Sequence, residues 1–297
     1  MKRLPDYLKR PIIDTDKTKT VRRILREKHL NTVCDGARCP NKNECYQNNT
    51  ATFLIMGNIC TRNCKYCNIT TSKPEPLDID EPKHVAEAIK DLGLDYAVIT
   101  SVTRDDIPDG GAEHFANCIF EIRKISPDTK IEILTPDFRG KWGKWGKDDK
   151  CSKGDEYNEQ SLKTIIDAHP DVFNHNIETV RAVYKEARPL GNYDLSLNVL
   201  KYIKENSNIP TKSGLMIGLG ETFEQILETM NDLKNVGCDI LTIGQYIQPS
   251  KQHLEVSKYY SLKEYELLKE EAKKIGFKKF QIGPLVRSSY HAKKIMQ

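Results

Sequence analysis

From residue 53 onward, short apolar runs alternate with stretches whose apolar positions recur every three to four residues. Runs of strand length read as β-strands, and the helical period reads as amphipathic helices. Strands are predicted over 53–57, 96–100, 130–135, 172–174, 212–218 and 240–245, with a seventh over 278–282. Helices are predicted over 82–92, 112–125, 159–168, 179–187, 193–205, 222–236 and 262–275, and one more over 18–29 in a basic arm. The 82–92 helix has Pro82 at its start and Gly93 past its end, the placement that helix termini favour. Such alternation builds βαβ units on a parallel sheet. Six repeats predict an α/β fold, an open partial (β/α)6 barrel, with its site at the C-terminal ends of the strands. No Gly-x-Gly-x-x-Gly follows the first strand, which disfavours a dinucleotide fold. On this reading 1–50 is an N-terminal extension, 51–277 the barrel and 278–297 a C-terminal extension.

Two stretches break the rhythm. Residues 140–158 are charged, glycine-rich and without period, and are expected to be a surface insertion, mobile at its tip, with Trp142 and Trp145 anchoring it. Residues 34–45 place Cys34, Cys39 and Cys45 at C-x4-C-x5-C spacing among Gly, Pro and Asn, and are expected to be neither helix nor strand.

Directly after the first strand comes Cys60-Thr61-Arg62-Asn63-Cys64-Lys65-Tyr66-Cys67. Three thiols in so tight a loop can wrap a cubane iron–sulfur cluster, but they supply only three of its four ligands. One iron then stays open to a small chelating molecule, and Tyr66 fits a group packed against an adenine or the cluster. Structural zinc is the competing reading; it usually takes four ligands, and no second C-x2-C pair flanks this loop. A disulfide knot would need an oxidising compartment and usually a short chain. Two triads within 34–67, each one ligand short, point to two clusters.

Composition narrows the class. The 297 residues suffice for one large domain or two small ones, and 38% hydrophobic with 30% charged residues describes an ordinary globule. No apolar run approaches membrane-spanning length and no signal-peptide core follows Met1, so a cytoplasmic, reducing setting is expected. Of nine cysteines, six lie within 34–67; Cys118, Cys151 and Cys238 read as ordinary buried thiols, with Cys151 a weak ligand candidate. The net charge of +4 falls to roughly +2 if two clusters each add about −1. No nucleic-acid binding follows from that. Basic residues gather in 2–28 and 273–294, either as solvated faces or as a docking surface for an acidic protein.

The C-x3-C-x2-C loop after the first strand resembles that of the radical S-adenosylmethionine (SAM) enzymes. In those, the amino and carboxylate groups of SAM chelate the open iron, and the cluster's electron splits SAM into methionine and a 5′-deoxyadenosyl radical. A wider set of motifs is similar to the lipoyl synthase family within that group. It comprises both triads, Asp105-Asp106-x-x-Asp109-Gly110-Gly111-Ala112, Asn174-His175-Asn176-x-Glu178-Thr179, Gly244-Gln245-Tyr246-x-Gln248-Pro249-Ser250 and Arg287-Ser288-Ser289-Tyr290. The match runs from about residue 30 to 292, and the insertion at 140–158 is the departure from it.

The resemblance implies a reaction that inserts two sulfur atoms, at C6 and C8 of an octanoyl chain on a lysine of a lipoyl carrier domain. It implies a SAM-cleaving [4Fe-4S] cluster on Cys60, Cys64 and Cys67. It also implies an auxiliary [4Fe-4S] cluster, the sulfur donor, on Cys34, Cys39 and Cys45 with a serine oxygen, Ser289 in preference to Ser288. Candidate SAM contacts are Tyr66; Thr100 and Ser101 in the loop after the second strand; Asn174, Asn176 and Glu178 for ribose hydroxyls; Arg188 for a carboxylate; and Gly218 and Gln245. Gly214 to Glu221 resembles the G-x-I-x-G-x-x-E element that helps hold adenine in such barrels. Implied partners are an octanoylated carrier (a 2-oxoacid dehydrogenase E2 or the glycine cleavage H protein), a reductant such as flavodoxin or ferredoxin, and an iron–sulfur carrier protein. Two other readings stay open on the residues alone, another sulfur-inserting radical SAM enzyme and a non-enzymatic iron–sulfur carrier.

Overall fold

A computed structural model describes residues 3–11, 15–48, 50–139 and 157–296. Of the 140–158 insertion only Tyr157 and Asn158 are therefore described, and the readings made for Trp142, Trp145 and Cys151 lie outside the described residues. The chain forms two compact units: an N-terminal one of 11–62 and 69–173, and a C-terminal one of 1–10, 63–68 and 174–297.

The N-terminal unit begins with α1 (Asp16–Glu27), whose Thr15 and Thr18 close a reciprocal capping box that starts the helix two residues earlier than expected. The chain then runs through β1 (Asn31–Thr32), α2 (Val33–Gly36), α3 (Lys42–Gln47), β2 (Thr52–Ile55), β3 (Ile59–Cys60) and β4 (Thr70–Thr71). After these come α4 (Glu81–Asp91), β5 (Tyr96–Ser101), α5 (Ala112–Ile125), β6 (Lys130–Leu134), α6 (Glu159–Asp167) and the start of β7 (Val172–Asn174). β1 pairs antiparallel with β2, while β2, β5 and β6 pair parallel in that order. Phe53, Ile99 and Ile131 are wholly buried on this sheet, and Phe115 meets Phe138 edge-on with centroids 6.2 Å apart.

The C-terminal unit carries a 3-10 turn (Asp6–Leu8), the end of β7, α7 (Tyr184–Ala187), α8 (Tyr193–Asn206), β8 (Thr211–Ile217), α9 (Phe223–Asn235), β9 (Ile240–Gln245), α10 (Leu262–Ile275), β10 (Lys279–Ile282) and α11 (Ala292–Met296). β8, β9 and β10 pair parallel. Thr222 and Ser261 cap α9 and α10 with boxes of their own, and Gly276 ends α10 at φ +97°.

Three expectations need correction. The 34–45 segment is not irregular: the Thr32 hydroxyl accepts the Asp35 N–H and starts the single turn of α2, and α3 begins after Asn41 with no side-chain cap. The helix expected over 179–187 shrinks to a 3-10 turn (Arg181–Val183) and one α turn, because Glu178 N–H goes to the Gly214 carbonyl and Glu178 sits at φ +72°. The first strand stops at Ile55 because Met56 and Gly57 turn at φ +65° and +87°, and the Met56 N–H goes to the Glu81 carboxylate. Among the described residues no helix is long and apolar enough to cross a membrane.

Candidate active site

The cysteine loop after β2 is divided between the two units, and each half is held in its own way. In the N-terminal unit Cys60 ends β3, and the backbone N–H groups of Arg62 and Thr103 each point at its sulfur, 3.4 Å away. Donors aimed at a sulfur favour its anionic, metal-binding form. Thr61 donates its N–H to the Thr103 carbonyl and its hydroxyl accepts the Asp105 N–H.

Arg62 is the anchor of this half. Its guanidinium donates from Nε and Nη2 to Asp105 at 2.8 and 2.6 Å, and from Nη1 and Nη2 to Asp137 at 2.7 Å each. All three side chains are no more than 4% exposed. Burial opposes the Arg62 charge, but Asp137 and Asp105 outweigh it and hold the group well above its ordinary value. The Asp-Asp-x-x-Asp motif thus divides its work: Asp105 grips Arg62, Asp106 pairs with Arg104, and Asp109 caps the start of α5 through the N–H groups of Gly111 and Glu113.

Cys34, Cys39 and Cys45 belong to the same unit. The Cys39 N–H donates to the Cys34 carbonyl, and Cys45 lies in α3. Burial, then the charge of Cys39, pushes the Cys34 thiol up to about 12, while burial, then Cys34 and Cys39, raises Cys45. Three thiols close enough to act on one another, in a half-buried pocket, fit a group that takes them as thiolates. Among the described residues no three Cys, His, Asp or Glu side chains converge as they would on a single ion. Of the strand-end candidates, Thr100 Oγ1 donates to the Leu134 carbonyl, whereas the buried Ser101 hydroxyl has no hydrogen-bond partner.

In the C-terminal unit the other half, 63–68, is held by its backbone. Lys65 N–H donates to the Ala187 carbonyl, Leu254 N–H to the Lys65 carbonyl and Cys67 N–H to the Cys64 carbonyl. His253 bridges the rest, with Nε2 3.0 Å from the Cys67 carbonyl and Nδ1 2.8 Å from Ser250 Oγ. The neutral ring satisfies both contacts by donating from Nε2 and accepting the serine hydroxyl at Nδ1.

Tyr66 lies among Cys64, Cys67, Glu178 and Arg188; burial first, then the Cys64 charge, raises its phenol well above the usual range. Glu178 is raised by burial, against the pull of Arg188 and of a hydrogen bond from Asn176. Arg188 donates from Nη1 to the Tyr184 hydroxyl at 2.8 Å. Asn174 is fully buried in β7, and Thr179 beside this group has a buried hydroxyl with no hydrogen-bond partner. Within the C-terminal unit, the unpartnered Thr179 hydroxyl fits a polar ligand.

Gly218 and Gln245 serve the loop after β8. Gly218 turns at φ +104°, and a Cβ there would lie 2.2 Å from Gln245 Nε2. Gln245 spends its amide within the unit, donating to the carbonyls of Ile217, Tyr246 and Lys258 and accepting the Tyr260 N–H. Glu221 accepts the N–H groups of Gly218 and Leu219 and the Tyr260 hydroxyl. At the C-terminus Ser288 Oγ donates to Asn176 Oδ1 at 2.8 Å, while Ser289 makes no side-chain hydrogen bond among the described residues.

Sequence reasoning missed two supports of the cysteine loop, the Arg62–Asp105–Asp137 cluster and the His253–Ser250 bridge. Arg62 inside the spacer was a visible signal. Asp137, 75 residues away, and His253, 186 residues from Cys67, carried none.

The radical SAM superfamily matches residues 54–233. A lipoyl synthase of Caldanaerobacter subterraneus subsp. tengcongensis is 48% identical over 291 residues, 98% of this chain and 96% of that protein. Lipoyl synthase 2 of Nostoc sp. is 49% identical over 97% of this chain and 94% of its own. The chain belongs to the lipoyl synthase family. Like other lipoyl synthases it is a radical SAM enzyme of lipoyl cofactor formation, dependent on SAM and on iron–sulfur chemistry. Its α/β fold of parallel strands alternating with helices, the partial-barrel class of the radical SAM enzymes, agrees with two crystal structures. SuiB of Streptococcus suis bound to S-adenosylmethionine has a TM-score of 0.54 at 14% identity over 88% of this chain and 63% of that one. Methylornithine synthase has 0.53 at 13% over 88% and 70%. At such identities the likeness speaks to the fold of the lipoyl synthases and not to their substrates.

Proposed function

We propose that this enzyme inserts two sulfur atoms, at C6 and C8 of an octanoyl group amide-linked to a carrier-domain lysine. The observation that carries the reading is identity near one half along almost the whole of lipoyl synthases from unrelated bacteria. Cys60, Cys64 and Cys67 hold a SAM-cleaving cluster, and Cys34, Cys39 and Cys45 hold an auxiliary one. Ser289 is its oxygen ligand, favoured because the Ser288 hydroxyl is committed to Asn176. When bound, the first cluster with SAM supplies the radical that unactivated C–H bonds require, and the second supplies sulfur.

The protein's own work is to bind, orient and exclude water. Glu178 and Asn176 offer acceptors and a donor to ribose hydroxyls, Arg188 offers a cation to a carboxylate, and Tyr66 offers its ring beside Cys64 and Cys67. The Thr179 hydroxyl adds a polar group to this lining. The carrier is an E2 or H-protein lipoyl domain, electrons come from a flavodoxin or ferredoxin, an iron–sulfur carrier rebuilds the donor, and the setting is the cytoplasm.

Mass spectrometry of an octanoylated carrier peptide after anaerobic turnover with SAM tests this directly. Two added sulfurs, 5′-deoxyadenosine and about eight irons per chain are expected, two cubanes' worth. Iron without SAM cleavage would leave only a carrier, and the reading would be wrong.

A further inference from the structure

Three stretches that the proposed function uses separately meet at one side chain of the C-terminal unit. Asn176 Oδ1 accepts the Ser288 hydroxyl at 2.8 Å, and the same carboxamide hydrogen-bonds the Glu178 carboxylate. A carboxylate only accepts, so Nδ2 serves Glu178 while Oδ1 serves Ser288, and both ends of the amide are in use. Glu178 lies within electrostatic reach of Arg188 and Tyr66. Its backbone is pinned to β8: its N–H donates to the Gly214 carbonyl at 2.9 Å, and its carbonyl accepts the Met216 N–H at 2.8 Å. The root of Glu178 is therefore fixed, and its carboxylate is the part that responds to a ligand.

The other end of the contact is built by glycines. A Cβ on Gly214 would lie 2.4 Å from Ser288 Oγ and 2.6 Å from Asn176 Oδ1; one on Gly244 would lie 2.0 Å from the Val286 carbonyl oxygen. Met216 pairs with Gly244 and Gly214 with Thr242, so the two glycines sit on neighbouring strands. Only residues without a side chain let the Val286 backbone lie this close to β9 and the Ser288 hydroxyl this close to β8.

We propose that Asn176 is a positioning residue coupling the cofactor subsite to the Arg287-Ser288-Ser289-Tyr290 segment. A ligand that engages Glu178 holds the Asn176 carboxamide in the orientation that grips Ser288. The segment bearing Ser289 is then held firmest while the subsite is filled. This rests on the proposed function for the identity of the ligand, SAM, and for the role of Ser289. Coupling of this kind is reciprocal: the factor by which SAM tightens the segment is the factor by which losing the Ser288 contact weakens SAM. One neutral hydrogen bond sets that factor at about threefold to tenfold.

The test is hydrogen–deuterium exchange of the 283–292 peptide in the anaerobically reconstituted full chain, with and without saturating SAM, alongside SAM Kd by equilibrium dialysis. The parent should exchange about threefold to tenfold more slowly with SAM. Asn176→Asp keeps an acceptor for Ser288 but loses the donor to Glu178; with SAM held saturating against that variant's own measured Kd, the SAM effect on exchange should vanish. Ser288→Ala should exchange faster without SAM and bind SAM more weakly by the factor lost. The coupling is overturned if Asn176→Asp keeps the full SAM effect, or if Ser288→Ala changes neither exchange nor Kd. A parent that binds no SAM would sink the functional reading and the coupling together. A parent that cleaves SAM with no change over 283–292 would sink the coupling alone.

Discussion

Replacing Arg62 with Met keeps most of the side chain's volume and removes its charge from a site where Asp105 and Asp137 have no water to turn to. The three side chains are 2%, 4% and 0% exposed, so Asp105 would be left buried without a cation and Asp137 with Arg139 alone, 3.3 Å away. Breaking a buried pair from one side typically costs about 3–5 kcal/mol. In a chain of 297 residues that is a fall in Tm on the order of 10 °C. Thermal and urea unfolding of the metal-free protein would read it. The double variant Arg62→Met/Asp105→Asn removes the stranded charge as well, leaves Asp137 to Arg139, and should regain about half or more of the loss. Because the guanidinium anchors the stretch whose backbone N–H points at Cys60 Sγ, releasing that anchor should cost the single variant roughly one cubane's iron after reconstitution. A Tm shift below about 2 °C, or a double variant less stable than the single, would refute the idea that this cluster works as a dry electrostatic anchor.

Gly244→Ala would place a methyl 2.0 Å from the Val286 carbonyl oxygen; overpacking there should cost about 1–3 kcal/mol in urea unfolding and expose 283–290 to limited proteolysis. The Cys238 thiol, buried under α9 and β9, is pushed by that burial from 9.0 up to about 12. A raised folded value means its stabilisation is intact below pH 9 and lost as pH rises from 9 toward 12, by up to roughly 4 kcal/mol. Cys238→Ala should therefore start less stable at pH 8 yet decline less steeply to pH 11; parallel curves would contradict the assignment. Cys64→Ala should abolish 5′-deoxyadenosine formation while leaving the auxiliary iron in place. Cys39→Ala should leave SAM cleavage measurable and stop sulfur transfer, and lipoyl product from that variant would show the donor lies elsewhere.

The local chemistry of this protein was legible from its sequence because it depends on neighbours in the chain. Pro82 and Gly93 bound α4 as expected, the apolar runs became strands in their predicted order, and both cysteine triads stood out by spacing alone. The short turn of α2 was missed because a single cap from Thr32 outweighs a Gly- and Asn-rich composition. What tertiary structure alone decided is which distant side chain reaches which atom. Asp137 closes on Arg62 and His253 on the Cys67 carbonyl. Ser288 reaches Asn176 across 112 residues, and Gln245 turns inward to brace Gly218. Those contacts come from strands brought side by side by burial, and burial is not specific about partners. A cysteine spacing is a covalent distance and can be read along the chain; a carboxylate's partner exists only once the sheet has chosen its neighbours.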